Sequence, residues 1–441
     1  MRVTPLSPIE AAQDRQAHPT ISSVNNTKTV ILAGVVGNAI EWYDFALYGY
    51  LAPIISLLFF PHSNELVSLL ETYGVFAAGF IMRPIGAGVF GYIGDRVSRR
   101  TELFISVILM AIPTFCLGLL PTYNQIGIAA PIILILLRLV QGLSVGGEFT
   151  GSITYLAETA PQTRRGFTTS FVSVGATTGF LLGLGIVTLL THLLSDTTLY
   201  TWGWRLPFLF GGILGLMGLY IRTNLPDSQI FEEHQEERQV PLLNALRKSL
   251  LPMLQAMCYA GGYNSVYYII IIYLPTYLDR FTDMPRSSVL AVNVVALSIM
   301  IALIPLLGWV SDSALRRKSL LLLAILGMGL LSVPGFWLLL QPNHYEVGLA
   351  QMLLAIAISP LLATSPAMMV ELFPTETRLS AYSISYNLGA SIMGGTSLLV
   401  CTWLINISGN IYAPALYLMI SAAIAAIALA FMSDRSREPL L

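Results

Sequence analysis

Charged residues are scarce in this chain of 441 residues. Asp, Glu, Lys and Arg together make up 11% of it, whereas soluble domains carry about 25%. Hydrophobic residues make up 55%, and the mean hydropathy is +0.71. This balance excludes a soluble globular domain, and the net charge of −1 excludes binding of nucleic acid through a strongly basic surface. The chain is therefore expected to have lipid as its solvent.

Cysteine is also scarce, and the sequence holds no cluster of metal-ligating residues. The cysteines are Cys116, Cys258 and Cys401, and each stands alone in an apolar segment. Their spacing matches neither a disulfide framework nor a metal site. The sequence also has no GxxxxGK[ST] nucleotide motif and no nucleophile with a base at matching depth. We therefore expect no metal and no cofactor, and neither an enzyme nor an ATP-driven pump.

Long apolar windows recur along the whole chain. About 20 apolar residues are needed to cross a hydrocarbon core of about 30 Å. Such windows lie near 29–58, 67–91, 102–121, 127–156, 167–191, 204–223, 251–278, 287–310, 319–340, 346–371, 379–406 and 411–432. They predict an all-α membrane protein with about twelve transmembrane helices.

Two loop motifs each occur twice. The first runs from Gly91 to Arg100 and recurs, with the same spacing, from Gly308 to Arg317. In the second, Glu158, Pro161 and Arg165 are matched by Glu371, Pro374 and Arg378. An internal repeat of six helices is the architecture of secondary transporters, which hold their solute near the midplane between the two halves. The repeat predicts two pseudo-symmetric six-helix halves.

The positions of the basic residues predict how the chain is oriented in the membrane. Most Lys and Arg residues fall in the loops on one side, which the positive-inside rule makes the cytoplasmic side. Both chain ends are therefore expected in the cytoplasm. The predicted segments are a tail over 1–28, the first half over 29–223, a linker over 224–250, the second half over 251–432 and a short tail over 433–441.

Several stretches resemble a known family. They are GNAIEWYDFALYGYLAP at 37–53, RPIGAGVFGYIGDRVSRR at 83–100, RLVQGLSVGGEFTGSITYLAETAPQTRRG at 138–166 and GWRLPFLFG at 203–211. The motif at 91–100 is similar to the loop signature of the major facilitator superfamily, and the set resembles its metabolite:proton symporter family. YLPTYL at 273–278 and FPTETRLSAYSISYN at 373–387 look most like the proline/glycine-betaine permease branch. The resemblance implies the major facilitator fold; other branches take dicarboxylates, tricarboxylates or shikimate.

Five charged residues fall inside predicted spans, all in the first half. An ionised side chain at the bilayer centre costs at least about 2.5 kcal/mol, so each of the five predicts a function. Glu41, Asp44 and Glu148 exceed the two arginines by one negative charge, and one proton would neutralise the excess. We predict that one of these acids couples protons to transport, and that Arg83 and Arg138 bind a solute carboxylate. The alternative is a set of structural ion pairs.

Tyrosines are concentrated in the seventh predicted span, around Gly261 and Gly262. Such rings attract a substituted ammonium group, and the glycine pair predicts a local break in the helix. The alternative is that these tyrosines serve packing and the membrane interface. The predicted aromatic and polar solute contacts are Trp42, Tyr43, Tyr263, Asn264, Tyr267, Tyr386 and Asn387.

The repeated loops predict a conformational latch that closes the cytoplasmic side. Glycine permits close packing there, and Asp accepts hydrogen bonds from Arg and from a helix N-terminus. The alternative is that the basic residues only fix orientation. The predicted latch residues are Gly91, Asp95, Arg96, Arg100, Glu158, Arg165, Asp312, Arg316, Glu371 and Arg378.

Together these features predict a secondary transporter of the inner cell membrane. It would import a small zwitterionic or carboxylate-bearing metabolite with protons, by alternating access and as a monomer. Its expected partners are the solute, protons and the lipid bilayer, with no nucleic acid. An organic-anion symporter or antiporter is the nearest alternative, and a non-transporting membrane receptor is an alternative of another class.

Overall fold

The structure is a computed structural model. It describes the backbone of residues 22–96, 99–223 and 241–440, and the side chains of 34–90, 104–220 and 249–440. The described residues form helices joined by short turns and include no β-strand. The predicted all-α fold is confirmed.

The first half is built from six helical rods, two of which are interrupted. Helix α1 bends by 61° into α2, and three turn residues separate α5 from α6. Proline at the second position of α2 suits a helix start, since its missing N–H would have no partner there. The helices are α1 (Ser22–Tyr50), α2 (Ala52–Phe59), α3 (Glu65–Arg96), α4 (Arg99–Leu119), α5 (Ala129–Ser144), α6 (Glu148–Thr159), α7 (Arg165–Leu193) and α8 (Arg205–Thr223).

The second half repeats this plan with six further rods. The first rod consists of α9, then a π-helical segment over Ile269–Tyr273, then α10. The fifth rod consists of α14, then a π-helical segment over Ala390–Gly394, then α15. The helices are α9 (Pro241–Tyr268), α10 (Leu274–Phe281), α11 (Arg286–Ser313), α12 (Arg317–Leu339), α13 (His344–Glu371), α14 (Arg378–Gly389), α15 (Ser397–Ser408) and α16 (Ala413–Phe431).

The rods coincide with the apolar windows of the sequence. Among the described residues, eight helical segments are long and apolar enough to cross a bilayer, and the bent pair α1–α2 is a ninth candidate. Two shorter apolar segments, Phe104–Leu119 and Arg205–Tyr220, belong to α4 and α8. The remaining rod, α9–α10, carries the polar and tyrosine residues that the sequence concentrates there. Helices α3, α6 and α7 of the first half pack against α11, α13, α14 and α15 of the second.

The predicted break at Gly261 and Gly262 is wrong. Helix α9 runs through both glycines, and its regular hydrogen bonding ends at the π-helical segment that begins at Ile269. A Cβ atom at Gly261 would lie 3.1 Å from the Gly389 carbonyl oxygen, and one at Gly262 would overlap the Ser421 carbonyl. These glycines therefore let α9 pack closely against α14 and α16.

Three glycines bring α3 into direct backbone contact with α5 and with the turn that follows it. A Cβ atom at Gly142 would overlap the Gly79 carbonyl, and one at Gly86 would overlap the Leu143 carbonyl. A Cβ atom at Gly146 would likewise overlap the Arg83 carbonyl. This crossing fixes the depth of α3 relative to the turn between α5 and α6.

Replacing Gly142 by alanine is therefore expected to lower stability clearly. The new methyl group would force the α3 and α5 backbones apart, and overpacking of this kind costs about 1–3 kcal/mol. The measurement is the unfolding temperature of the detergent-solubilised protein. Gly151→Ala is the matched control, because a Cβ atom at Gly151 meets no atom within 4 Å. Equal unfolding temperatures for the two variants would contradict the crossing.

Candidate functional site

Aromatic rings fill the boundary between the two halves. Trp42 of α1 lies 5.8 Å from Phe149 of α6 and 5.5 Å from Phe180 of α7, measured between ring centroids. It also lies 6.4 Å from Tyr268 of α9, in the other half. All four rings are buried. Trp42 was predicted from sequence, whereas Phe149, Phe180 and Tyr268 were not.

The second half completes this cluster with residues of α9 and α14. Tyr386 stacks on Phe149 with centroids 5.2 Å apart, and Tyr267 meets Phe180 at 5.5 Å. The Tyr386 hydroxyl donates a hydrogen bond to Asn264 Oδ1 at 3.4 Å. Tyr263 is also buried, one turn before Tyr267 on α9. We call Trp42, Phe149, Phe180, Tyr267, Tyr268 and Tyr386 the central cluster.

The structure places Tyr43 outside the central cluster. Its hydroxyl donates to the Pro207 carbonyl at 2.8 Å, and its ring meets Phe210 edge-on at 6.2 Å. Both partners belong to α8 of the first half. Consecutive residues of a helix point about 100° apart, so Trp42 and Tyr43 cannot face the same space. Tyr43 packs α1 against α8.

Arg83 reaches from α3 to the second half. Its Nε donates to Asn387 Oδ1 at 3.2 Å, and its guanidinium carbon lies 5.3 Å from the Trp42 ring and 5.1 Å from the Phe80 ring. The side chain is fully buried beside Tyr268, and Nη1 and Nη2 make no hydrogen bond of regular geometry among the described residues. Asn387 in turn donates to the Gly146 carbonyl at 2.6 Å, in the turn between α5 and α6. Arg83 therefore offers two parallel N–H groups at the boundary.

Arg138 lies inside the first half, although the sequence predicted the same role for both arginines. Its guanidinium carbon sits 4.4 Å from the Tyr48 ring, and Nη1 donates to Gln141 Oε1 at 3.0 Å. Gln141 Nε2 donates to Thr114 Oγ1 at 2.7 Å. The Thr114 hydroxyl lies 2.5 Å from Asp44 Oδ2 and donates to it. These contacts link Arg138 to Asp44 through two neutral side chains.

The three predicted proton-coupling acids line one cavity. Glu41 and Asp44 of α1 and Glu148 of α6 line a small cavity of about 20 Å³, which is room for about one water molecule. The other walls come from α4, from Ser144 of α5 and from α8, so the cavity lies within the first half. Asp44 is buried, and its Oδ1 has no hydrogen-bond partner among the described residues. We call this space the first-half cavity.

A charge network joins the two halves at one end of the molecule. Asp312, at the end of α11, accepts hydrogen bonds from the backbone N–H groups of Gly166 and Phe167, each at 2.8 Å. These groups belong to the first turn of α7, where a helix favours negative charge. Arg317 Nη2 lies 2.7 Å from Asp312 Oδ1.

Two further carboxylates extend the network. Glu371 Oε1 lies 2.6 Å from Arg165 Nη1 and 3.2 Å from Arg317 Nη1. Arg378 Nη1 lies 2.7 Å from Glu158 Oε1. The pairs formed with Arg165 and Glu158 cross between the halves. We call Glu158, Arg165, Asp312, Arg317, Glu371 and Arg378 the end network.

The end network contains five of the predicted latch residues and one that the sequence did not select. Arg316 was predicted, but it lies exposed at the start of α12, and its neighbour Arg317 is the buried one. The repeat did carry a signal for Arg317, because it occupies the position of the predicted latch residue Arg100 in the second copy of the motif. The side chains of Gly91, Asp95, Arg96 and Arg100 lie outside the described residues.

The C-terminal segment after α16 also contacts both halves. Arg317 Nη1 donates to the Ser436 carbonyl at 2.8 Å, and Gln162 Nε2 of the first half donates to the Arg437 carbonyl at 3.0 Å. Lys318 Nζ donates to the Met432 carbonyl at 2.8 Å. The segment thus lies beside the end network.

Comparison with known proteins identifies the family. Residues 34–343 match the model of the Major Facilitator Superfamily. The chain belongs to the major facilitator superfamily. As a member it is a multi-pass membrane transporter and not an enzyme.

Named transporters can be aligned with nearly the whole chain. The glycine betaine/proline/ectoine/pipecolic acid transporter OusA of Dickeya dadantii is 34% identical, covering 96% of this chain and 86% of that protein. The ectoine/proline transporter ProP of Corynebacterium glutamicum is 35% identical, covering 99% and 91%. Among solved structures, the xylose transporter XylE from E. coli superimposes with a TM-score of 0.75 at 18% identity, over 94% of this chain and 99% of that one. The predicted major facilitator fold and the predicted likeness to proline/betaine transporters are confirmed.

In this major facilitator protein, the adjacent residues Arg316 and Arg317 are expected to respond differently to replacement by glutamine. Arg317→Gln would leave Asp312 and Glu371 with less compensation, and breaking a buried pair costs about 3–5 kcal/mol. Arg316→Gln changes an exposed side chain and should stay within about 0.5 kcal/mol. The measurements are the unfolding temperature and the labelling rate of a cysteine at Ser173, whose hydroxyl donates to the Leu362 carbonyl of the other half at 2.7 Å. Of the two variants, only Arg317→Gln should speed labelling. Equal labelling rates and unfolding temperatures would show that the end network does not hold the two halves together.

Proposed function

We propose that the chain imports a small zwitterion, with a carboxylate and a substituted ammonium group, together with protons. Proline and glycine betaine are the solutes we expect, in line with the solutes named for the relatives. Transport would proceed by alternating access, with the solute held between the halves.

The position of Arg83 carries this proposal. Two N–H groups without partners at the boundary suit a carboxylate, which accepts a pair of parallel hydrogen bonds from a guanidinium. The central cluster adjoins Arg83, and the faces of Trp and Tyr rings attract an ammonium group. A zwitterion presents both charges within a few ångströms. Among the described residues, a solute with three negative charges would find one guanidinium beside the central cluster, that of Arg83.

Proton coupling is supported by the charges of the first half. The first half holds three acids along its cavity, Glu41, Asp44 and Glu148, and two buried arginines, Arg83 and Arg138, so that one bound proton balances the set. Asp44 is linked to Arg138 by hydrogen bonds, which holds it in place without a direct ion pair. We propose that a proton on one of these acids accompanies each solute.

The end network is our proposed latch on the cytoplasmic side. Its cross-half bonds would have to break before the halves part there, so it would favour the state closed to the cytoplasm. The excess of basic residues in the loops on this side supports an inner-membrane protein with both ends in the cytoplasm. We further propose that 29–223 and 251–432 move as the two halves, joined by the linker 224–250, and that one chain suffices.

Uptake into proteoliposomes with an imposed pH gradient tests the proposed function. Labelled proline and glycine betaine are compared with 2-oxoglutarate and citrate, with and without a protonophore. Uptake of the zwitterions that a protonophore abolishes is the expected result. Uptake of the carboxylates alone would replace the zwitterion by an organic anion, and the absence of any uptake would favour a receptor.

A further inference from the structure

We propose that protons move between Asp44 and the cytoplasm through the first-half cavity, and not through the space between the halves that the solute uses. The inference rests on the proposed proton-coupled function. It adds a separate route for the coupling ion, inside one half of the molecule.

The first-half cavity extends along its helices in one direction. On α1 its lining runs from Asp44 back to Gly37, and on α4 from Ala111 back to Ser106. On α8 it runs from Gly215 on to Gly218, toward the end of that helix. Seven residues of α1 span about 10 Å. All three directions lead to the face that carries the end network, which we propose is cytoplasmic.

The cavity and the central cluster lie on different sides of α1. Trp42 faces the second half, whereas Asp44 and Gly37 face α4 and α8. Glu41 lines the cavity and also interacts electrostatically with Tyr268 and Tyr386 of the central cluster. Glu41 therefore lies between the central cluster and the cavity that Asp44 lines. The two sites are adjacent, but they lie on different sides of α1.

The proposed step is a proton transfer from the Asp44 carboxylic acid to a water molecule in the cavity. It leaves a carboxylate on Asp44 and a hydronium ion that moves toward the cytoplasm. The Thr114 hydroxyl, which donates to Asp44, and Arg138, linked through Gln141, stabilise that carboxylate.

Other charged and titratable groups surround this step. Glu41 and Tyr43 lie on the same helix as Asp44, and Glu148 faces the cavity from α6. Ser106 and Ser144 add hydroxyl groups to the wall. Five of the twelve lining residues are acids or serines, which can supply the two to four polar partners that a buried water needs.

Filling the cavity at Gly218 tests the route. A Cβ atom at Gly218 would lie 2.9 Å from Ile40 Cδ1, which also lines the cavity and can rotate away. Gly218→Leu should slow solute-coupled alkalinisation of the outer medium at least about tenfold in right-side-out vesicles, while counterflow of labelled against unlabelled proline stays near the wild-type rate. Gly185→Leu on α7 is the control, since a Cβ atom there meets nothing within 4 Å.

A second variant distinguishes the effect of filling the cavity from misfolding of the first variant. Val107→Phe fills the same space from α4 and should give the same separation of proton flux from counterflow. Wild-type proton flux in both filled variants would overturn the separate route and leave proton symport standing. Wild-type protein that takes up solute without moving protons would instead overturn the proposed function itself.

Discussion

Replacing Arg83 by lysine is expected to raise the proline concentration for half-maximal uptake by about 100-fold. The guanidinium is fully buried, with Nε held by Asn387 and two nitrogens left for a ligand. A lysine ammonium keeps the charge but cannot donate two parallel hydrogen bonds in one plane. Hydrogen bonds to charged groups contribute about 1.5–3 kcal/mol, and 2.7 kcal/mol corresponds to about a factor of 100. Initial rates of labelled proline uptake measure the change.

Arg205→Lys is the matched control for this substitution. Arg205 Nη1 donates to the Leu120 carbonyl at 2.9 Å, and its guanidinium lies over the Trp204 ring at 4.3 Å; neither partner belongs to the central cluster. Its half-maximal concentration should stay near that of the wild type. If Arg83→Lys keeps wild-type affinity while remaining folded, the solute carboxylate is bound elsewhere.

Asp44→Asn is expected to abolish accumulation of proline against its gradient. The amide resembles the protonated acid, so the variant would carry solute without exchanging a proton. Counterflow should persist at a measurable rate, because exchange of solute needs no net proton transfer. The steady-state ratio of internal to external proline under a pH gradient should fall to about one.

Asp283→Asn is the control for Asp44→Asn, because Asp283 is an exposed acid between α10 and α11. It should accumulate proline like the wild type. Accumulation that survives in Asp44→Asn would assign the coupling proton to another acid, and the same assay on Glu41→Gln and Glu148→Gln would then find it.

The sequence was sufficient to predict the helices and the charged ends of this fold. Apolar windows and repeated loops are visible in the sequence, because the length and composition of an apolar segment determine whether it crosses the membrane as a helix. The ion pairs of Arg165 with Glu371 and of Arg378 with Glu158 follow the same repeat, since matched positions in two halves meet at one end.

The sequence could not predict which side chains face the boundary. Trp42 and Tyr43 are equally aromatic, and only the packing of α1 against α8 and α9 separates them. Arg83 and Arg138 are equally buried, yet the crossing of α3 and α5 sends only Arg83 to the second half. Phe149 and Phe180 gave no signal, because a phenylalanine in an apolar helix looks like ordinary core.

The C-terminal segment beyond α16 has one practical consequence for mutagenesis. Arg317 and Gln162 bind the backbone carbonyls of Ser436 and Arg437, and the side chains of those two residues do not take part in these bonds. An alanine scan removes side chains and keeps every carbonyl, so it would score these positions as dispensable. Shortening the chain before Ser436 would remove both acceptors at once, and only such truncations can reveal what the segment contributes.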